Sequence, residues 1–354
     1  MSISKYYLLI NKIYAEKVKK ILVKNNLIDG TRKVLHENDM VGFPILNIDN
    51  NIKKLFGRLK IKFELKEINE SSILEKKVPL KEIIKDEKRI SKRYDILGNI
   101  AIINIRDLNS NKGAKEEILK AANAIMKFHP NIKTVVAKAS AVSGIYRTRK
   151  FRYIAGKRTY VAEYKENNCI FKFDIRKSFF SNRLSYERTR IIKNVKNNEN
   201  VIVMFAGVGP FSIEIAKAHP SANIVSIELN KHAFNAMVKN IKLNKVSNVE
   251  PVLGDVKKVS KEYRNFADKI IMPLPKDSMN FLDDAFIVAR NGAVVTLYTF
   301  GQSETVLKET KNKIKMHAKK HRYKVKFIFN RVVKPYSRSE DEIVVDYKII
   351  KFIE

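Results

Sequence analysis

A strand that stops at a glycine turn, continues as a helix and returns as a second strand constrains this chain more than any other feature. Residues 201–205 form an apolar, β-branched run with no polar face, which reads as a buried parallel strand. The run breaks at Ala206-Gly207-Val208-Gly209, and Pro210 opens an amphipathic helix that extends to Ala218. A second apolar run, 222–227, ends on Glu228. Together these elements are the nucleotide-binding half of a doubly wound sheet, with the terminal acid placed for ribose hydroxyls. Glycine at the turn lets a ligand come close to the backbone, because no Cβ intervenes. The turn lacks the third glycine of a dinucleotide fingerprint. A cationic sulfonium ligand without pyrophosphate, S-adenosylmethionine, therefore fits it better than NAD.

The pattern continues through 166–354. A helix is expected over 231–243 and a strand over 249–253 that ends at Gly254-Asp255. A further strand over 269–272 ends in Pro273-Leu274-Pro275, followed by a helix over 279–289 and a strand over 293–300. Segments 323–329 and 343–350 supply a final strand pair. Five parallel strands and a terminal hairpin predict an α/β class I (Rossmann-like) methyltransferase domain, with its ligand at the carboxyl ends of the strands.

Two smaller α/β domains are expected ahead of it. In 1–72, segment 6–10 reads as a strand, 15–25 as a helix, Asp29-Gly30 as a turn, 41–48 as a strand and 69–72 as a polar linker. In 73–165, a short helix is expected over 80–84, a strand over 99–104, a loop over 109–113, a helix over 114–128 and a strand over 134–137. A stretch in which cations and rings interleave then runs from Gly144 to Arg158. On a ribbon, Arg149, Lys150, Arg152, Lys157 and Arg158 would offer charge to phosphates while nearby rings met bases. A solvated hairpin is the plainer alternative.

The formal net charge is +33, from 70 Lys+Arg against 37 Asp+Glu, which points to a polyanionic partner and above all to nucleic acid. Drift toward Lys accounts for only part of it, since drift to Lys and Glu together leaves charge balanced. The single cysteine, Cys169, excludes an internal disulfide and a cysteine-rich zinc site, and the six histidines show no ligand spacing, so no metal is expected. No apolar run approaches a membrane span and residues 1–8 do not read as a signal peptide, so a reduced, cytoplasmic setting is expected.

Four segments together resemble the archaeal and eukaryotic tRNA (guanine-37-N1)-methyltransferases and their relatives in wyosine synthesis. They are Phe179-Phe-Ser-Asn-Arg-Leu-Ser-Tyr-Glu-Arg188, Met204-Phe-Ala-Gly-Val-Gly-Pro-Phe-Ser212, Asn240-Ile-Lys-Leu-Asn-Lys245 and Pro273-Leu-Pro275. Residues 93–101 look like the family's second domain and 144–156 like its linker, so the likeness runs from about residue 90 onward. Three positions depart from the family's usual pattern: Val203 replaces Asp, Asn182 replaces Pro, and Pro273 replaces Asn. The last lies where the target base belongs. With Glu228, it resembles an archaeal branch that methylates both guanosine and the tricyclic wyosine precursor.

The resemblance implies S-adenosylmethionine as cofactor and tRNA as partner of a monomer, with the first domain gripping a distant part of the tRNA. Guanine N1 is protonated at neutral pH, so transfer needs a base near N1 and a donor near O6. By resemblance Glu187 is the base and Arg147 the donor. A salt bridge to Arg183 or Arg188, and a phosphate contact, are the respective alternatives. Phe179, Arg188, Phe205, Ala206, Gly207, Gly209, Glu228 and Asp255 are expected around the cofactor. Asp255 equally suits a helix N-cap. Pro273, Leu274 and Pro275 would wall the base pocket. Transfer of the cofactor's aminocarboxypropyl group to the precursor, or RNA binding without catalysis, are the other readings. DNA methylation is disfavoured, because Pro273-Leu-Pro-Lys276 is not the D/N/S-P-P-Y/F motif.

Overall fold

The computed structural model describes residues 6–25, 27–29, 34–37, 39–46, 56–57, 59, 61–67, 94–105 and 112–351. The expected linker 69–72, the helix 80–84 and most of the loop 109–113 lie outside them. The chain divides into two compact units, Met1–Asp86 and Glu87–Glu354.

In the first unit, β1 (Tyr6–Asn11) leads through a 3-10 turn into α1 (Ala15–Lys24). Strands β2 (Leu35–Glu37), β3 (Met40–Pro44) and β4 (Phe63–Glu67) complete an antiparallel sheet of order β2-β3-β1-β4. Val18 and Leu22, one turn apart on α1, pack with Leu8 and Ile10 of β1 and with Val41, Phe43 and Ile45.

The second unit opens with a mixed sheet of order β5-β6-β7-β8, made of β5 (Asp95–Leu97), β6 (Ile100–Ile103), β7 (Thr134–Lys138) and β8 (Phe151–Gly156). α2 (Lys112–Phe128) is the crossover that makes β6 and β7 parallel. The hairpin β9 (Val161–Glu166) and β10 (Cys169–Asp174) follows. It comes so close to the β5–β6 turn that a Cβ on Gly98, at φ 58°, would lie 1.9 Å from the Glu163 carbonyl oxygen.

After α3 (Ser185–Asn194) comes a seven-stranded sheet. Its members are β11 (Asn200–Met204), β12 (Asn223–Glu228), β13 (Val249–Leu253), β14 (Ala267–Met272), β15 (Ala289–Gln302), β16 (Tyr323–Pro335) and β17 (Glu340–Lys351). The order is β13-β12-β11-β14-β15-β17-β16; the first five strands run parallel, and β17 alone is reversed, pairing antiparallel with β15 on one side and with β16 on the other. Helices α4 (Pro210–Ala218), α5 (Lys231–Asn244), α6 (Val256–Val259), α7 (Leu282–Val288) and α8 (Val306–Lys320) make the connections. Strand β11 shows why the apolar run has no polar face. Ile202 and Met204 enter one core layer, and Val201 and Val203 enter the other. The expected helix 279–289 is a 3-10 turn, Ser278–Phe281, followed by α7.

Two asparagines of α5 tie the β9–β10 hairpin to this domain. Asn240 Oδ1 accepts from the Lys172 backbone N–H at 2.8 Å, and Asn244 Oδ1 from that of Ile170 at 2.8 Å. A domain boundary at 165 would cut through that hairpin.

Candidate cofactor and base site

The turn after β11 is built on left-handed backbone: Phe205 has φ 61°, Gly207 φ 61° and Gly209 φ 88°. A Cβ on Gly209 would meet Met237 at 2.9 Å and Ile213 at 3.0 Å, so this glycine sets how closely α4 packs on α5. Ala206 donates its N–H to the Ile227 carbonyl at 2.9 Å and is buried. Above the turn, at the carboxyl ends of β11, β12 and β14, lies a cavity of about 400 Å³. Phe205, Gly207, Glu228, Asp255, Pro273, Leu274, Arg147 and Phe179 all line it.

Glu228 ends β12 with both carboxylate oxygens anchored. Oε2 accepts from the Gly207 N–H at 2.7 Å and Oε1 from the Asn230 N–H at 2.7 Å. Burial pushes its pKa up, and these backbone donors oppose the rise. Each oxygen keeps a lone pair, so the group suits a ligand offering two hydroxyls. Gly207 is open, since a Cβ there would find only the Phe179 carbonyl, at 3.8 Å. Asp255 does both things its position suggested: it caps α6 through the Lys257 N–H at 3.0 Å, and it faces the cavity. Ile227, Leu229 and Phe281 add flat apolar wall, with Phe281 edge-on to Phe205 at 4.8 Å. The donors and acceptors here fit an adenosine bearing an uncharged ribose.

Arg147 enters from the β7–β8 loop, at φ 51°. Its guanidinium stands 5.1 Å from the Phe179 ring centroid and 5.9 Å from that of Phe300. Among the described residues it has no carboxylate partner. An arginine held by rings rather than by an acid keeps its donors for a ligand.

The structure does not bring every expected residue to the cavity. Arg188 is a correction: it is fully buried, grips both oxygens of Glu166 at 2.7 Å, and donates to the Ser181 carbonyl at 3.1 Å. A guanidinium so deep in the fold is retained by its carboxylate, and none of it reaches the cofactor cavity. Glu187 is also buried and lines no part of the cavity. Its carboxylate accepts from the Tyr298 hydroxyl at 2.7 Å, from Arg190 Nε at 3.0 Å and from Arg331 Nε at 2.9 Å. Its ion-pair partners are therefore Arg190 and Arg331, not Arg183 or Arg188. Ala206 and Gly209 shape the turn without facing the cavity. Pro275 is buried behind Leu274, with its carbonyl accepting from the Phe300 N–H at 3.2 Å.

The interleaved stretch is not one ribbon. Residues 144–147 form a turn, and only 151–156 are strand. On β8, Phe151 packs against the core while Arg152 points out, so ring and charge face opposite ways. Lys150, Arg152, Lys157 and Arg158 are exposed, and Arg149 is half-buried. Sequence reading missed Asn230, which lines the cavity, caps α5 and donates to the Lys177 carbonyl at 2.8 Å. The Leu-Asn-Lys that follows Glu228 was its signal, as an N-cap before a helix. Among the described residues no His, Cys, Asp and Glu cluster could hold a metal, and no helix is long and apolar enough to cross a membrane.

A seven-stranded sheet of this order, with a ribose-type acid ending its second strand and a cavity across the strand ends, defines a class I methyltransferase domain. Comparison with known proteins narrows the class. Residues 162–326 match the TRM5/TYW2 methyltransferase domain, 71–159 the TYW2 N-terminal domain and 8–53 the tRNA methyltransferase 5 N-terminal domain. The chain is 36% identical to the tRNA (guanine(37)-N(1))-methyltransferase Trm5b of Methanocaldococcus jannaschii, over 97% of this chain and 98% of that one. It is 35% identical to the tRNA 4-demethylwyosine(37)-methyltransferase Taw21 of Saccharolobus solfataricus, over 75% and 97%. Among solved structures, a complex of aTrm5 with tRNALeu superposes with a TM-score of 0.72 at 34% identity, covering 97% of this chain and 99% of that one. The chain belongs to the TRM5/TYW2 family.

Proposed function

We propose that this protein is an S-adenosylmethionine-dependent tRNA methyltransferase. It forms N1-methylguanosine at position 37, also methylates C7 of 4-demethylwyosine there, and works as a single chain. One observation carries the reading: a single cavity holds a ribose-type acid, Glu228, at one side and an acid-free arginine, Arg147, with Pro273 at the other. S-adenosylmethionine, when bound, supplies an electrophilic methyl group on a sulfonium. The rest falls to the chain. Glu228 holds the ribose and Asp255 accepts from the adenine amine. Arg147 donates to O6, where negative charge grows as N1 is alkylated.

Glu187 is the carboxylate that the family resemblance offers for the N1 proton. With its oxygens taken by Tyr298, Arg190 and Arg331 and no part of it lining the cavity, it can take that proton only if one of them lets go and the carboxylate turns toward the base. Arg331 is the partner that an RNA phosphate can draw away, because its side chain is 32% exposed and stacks 4.4 Å from the ring centroid of Tyr186, itself 66% exposed.

The test is nucleoside mass spectrometry after incubation with two substrates, an unmodified transcript and a tRNA carrying 4-demethylwyosine. Methylation of both supports the reading. A transcript left unmodified overturns it. The match of 71–159 to the TYW2 N-terminal domain favours one rival, transfer of the aminocarboxypropyl group. The same spectra expose it as a different mass increment on the precursor.

A further inference from the structure

A second cavity, of about 280 Å³, adjoins the first and shares two of its walls, Arg147 and Phe179. It lies between the β5–β8 sheet and the start of the methyltransferase domain, and the roles proposed above use only the wall it shares with the first cavity. Its charge is lopsided. Among the described residues, Lys138, Arg147, Arg149, Arg183 and Lys334 line it, against the one carboxylate of Asp95. That carboxylate is already engaged, with Lys138 at 2.9 Å and Arg183 at 3.0 Å, and the two cations hold its pKa below the ordinary aspartate value although burial works the other way. Lys334 is engaged outside the cavity by Glu342 at 3.0 Å. Arg149 is different: it is half-buried and, among the described residues, makes no side-chain hydrogen bond or ion pair. With Arg147 it gives two guanidiniums without an acid, two residues apart in sequence and both facing this cavity.

The remaining wall mixes rings, Phe151, Phe173, Phe179 and Phe180, with aliphatic and small polar side chains. Phe180 stands beside Phe179 in sequence and is fixed by Phe173 at 5.0 Å and Tyr164 at 5.0 Å. Cations without acids beside fixed flat rings are what a phosphodiester and an unstacked base require. A target base in the first cavity is joined to its neighbours through phosphates, and the shared wall at Arg147 and Phe179 is where such a chain would cross. We propose that this second cavity is a subsite for the nucleotide next to the target. Its phosphate lies on Arg149, beside the wall where Arg147 reaches the target base, and its own base lies against the Phe179–Phe180 wall. The proposal rests on the tRNA reading above and deepens it.

The experiment is a binding cycle with full-length protein and three tRNA transcripts: intact, abasic immediately 5′ of the target, and abasic immediately 3′ of it. Equilibrium affinities are measured for wild type and for Arg149→Ala. With wild type, one of the two abasic tRNAs should bind about tenfold more weakly than intact tRNA, and the other within about twofold, since stacking is worth roughly 1–3 kcal/mol per base. With Arg149→Ala, intact tRNA should bind more weakly and the penalty for the missing base should shrink below about threefold. The subsite is disproved if neither abasic tRNA loses affinity with wild type, or if the penalty is the same in both proteins. Methylation of the intact transcript by wild type, assayed alongside, separates failure of the subsite from failure of the tRNA reading, because the affinities do not depend on turnover.

Discussion

At the scale of single residues, the site turns on groups whose surroundings are unlike those of their neighbours. Glu228 is the clearest. Its free lone pairs face the cavity, so Glu228→Ala should weaken S-adenosylmethionine binding by roughly 1.5–3 kcal/mol in calorimetry, the usual worth of charge-assisted hydrogen bonds. Unchanged affinity in a folded variant would move the ribose site elsewhere. Because burial raises its pKa, the charged form that binds hydroxyls is lost earlier on acidification than for an ordinary glutamate, and affinity should fall with it. Pro273 has neither side-chain donor nor backbone N–H, and it faces the base side of the cavity. Pro273→Asn should keep guanosine methylation and lower precursor methylation about tenfold, or about 1.4 kcal/mol, by nucleoside mass spectrometry. An unaltered ratio of the two products would remove Pro273 from target choice. Glu228 and Asp255 were legible because each ends a strand run at a glycine or helix boundary. The setting of Arg188 was not. Nothing near Arg188 in sequence says that Glu166, across a hairpin, takes both ends of its guanidinium.

At the scale of elements, α3 carries two charged pairs on opposite duties. Arg188 anchors it to the β9–β10 hairpin, and Glu214 of α4 also lies 3.5 Å from its guanidinium. Burial raises the pKa of Glu214 to about 8, outweighing Arg188, whose charge Glu166 already satisfies. A carboxyl raised in this way favours folding most below the unfolded glutamate value, and that stability drains away as pH climbs through about 8. Glu214→Gln should therefore flatten this limb: its Tm relative to wild type should rise from pH 5 to pH 8. A difference independent of pH would show that Glu214 is charged in the native state. On the other side of α3, Glu187 and Arg331 can be separated kinetically. Glu187→Gln should slow single-turnover methylation by about 10²- to 10⁴-fold if this carboxylate takes the proton. Arg331→Ala should mainly weaken tRNA binding and keep the rate at saturation within about threefold, as loss of a phosphate contact does. If Arg331→Ala is as slow as Glu187→Gln, the cluster is a structural unit. The parallel strands were readable because both faces are apolar, as in β11. The β9–β10 hairpin was not. Its exposed side chains are mostly Lys and Glu, and it is held in place by Asn240 and Asn244, about 70 residues further on.

At the scale of the whole molecule, a net charge of +33 announces a polyanion but not where it lies. If about five phosphates are neutralised, log K against log salt should fall with a slope near −3.5 to −4.5, and Arg149→Ala or Arg152→Ala should make it shallower. A flat response would reduce the excess to composition. Strand alternation decides which cations are outside, and the sequence of β8 does not reveal that Phe151 takes the inward place. The strand order of the large sheet has a consequence for biosynthesis. β17 is the last strand, yet it lies between β15 and β16. The partners of Glu187 and Arg190 on α3 come from these three strands: Tyr298 from β15, Arg331 from β16, and Asp346, which pairs with Arg190, from β17. While the ribosome is still at work, Arg188 can already meet Glu166, but the cluster around Glu187 and Arg190 gathers its partners strand by strand and is complete only when residue 346 is free. Such late, long-range closure is slow, and the growing chain meets it with an open sheet edge at β15. A chain released early would keep its basic surface but lack the strand that completes the fold, leaving a ready client for chaperones and proteases.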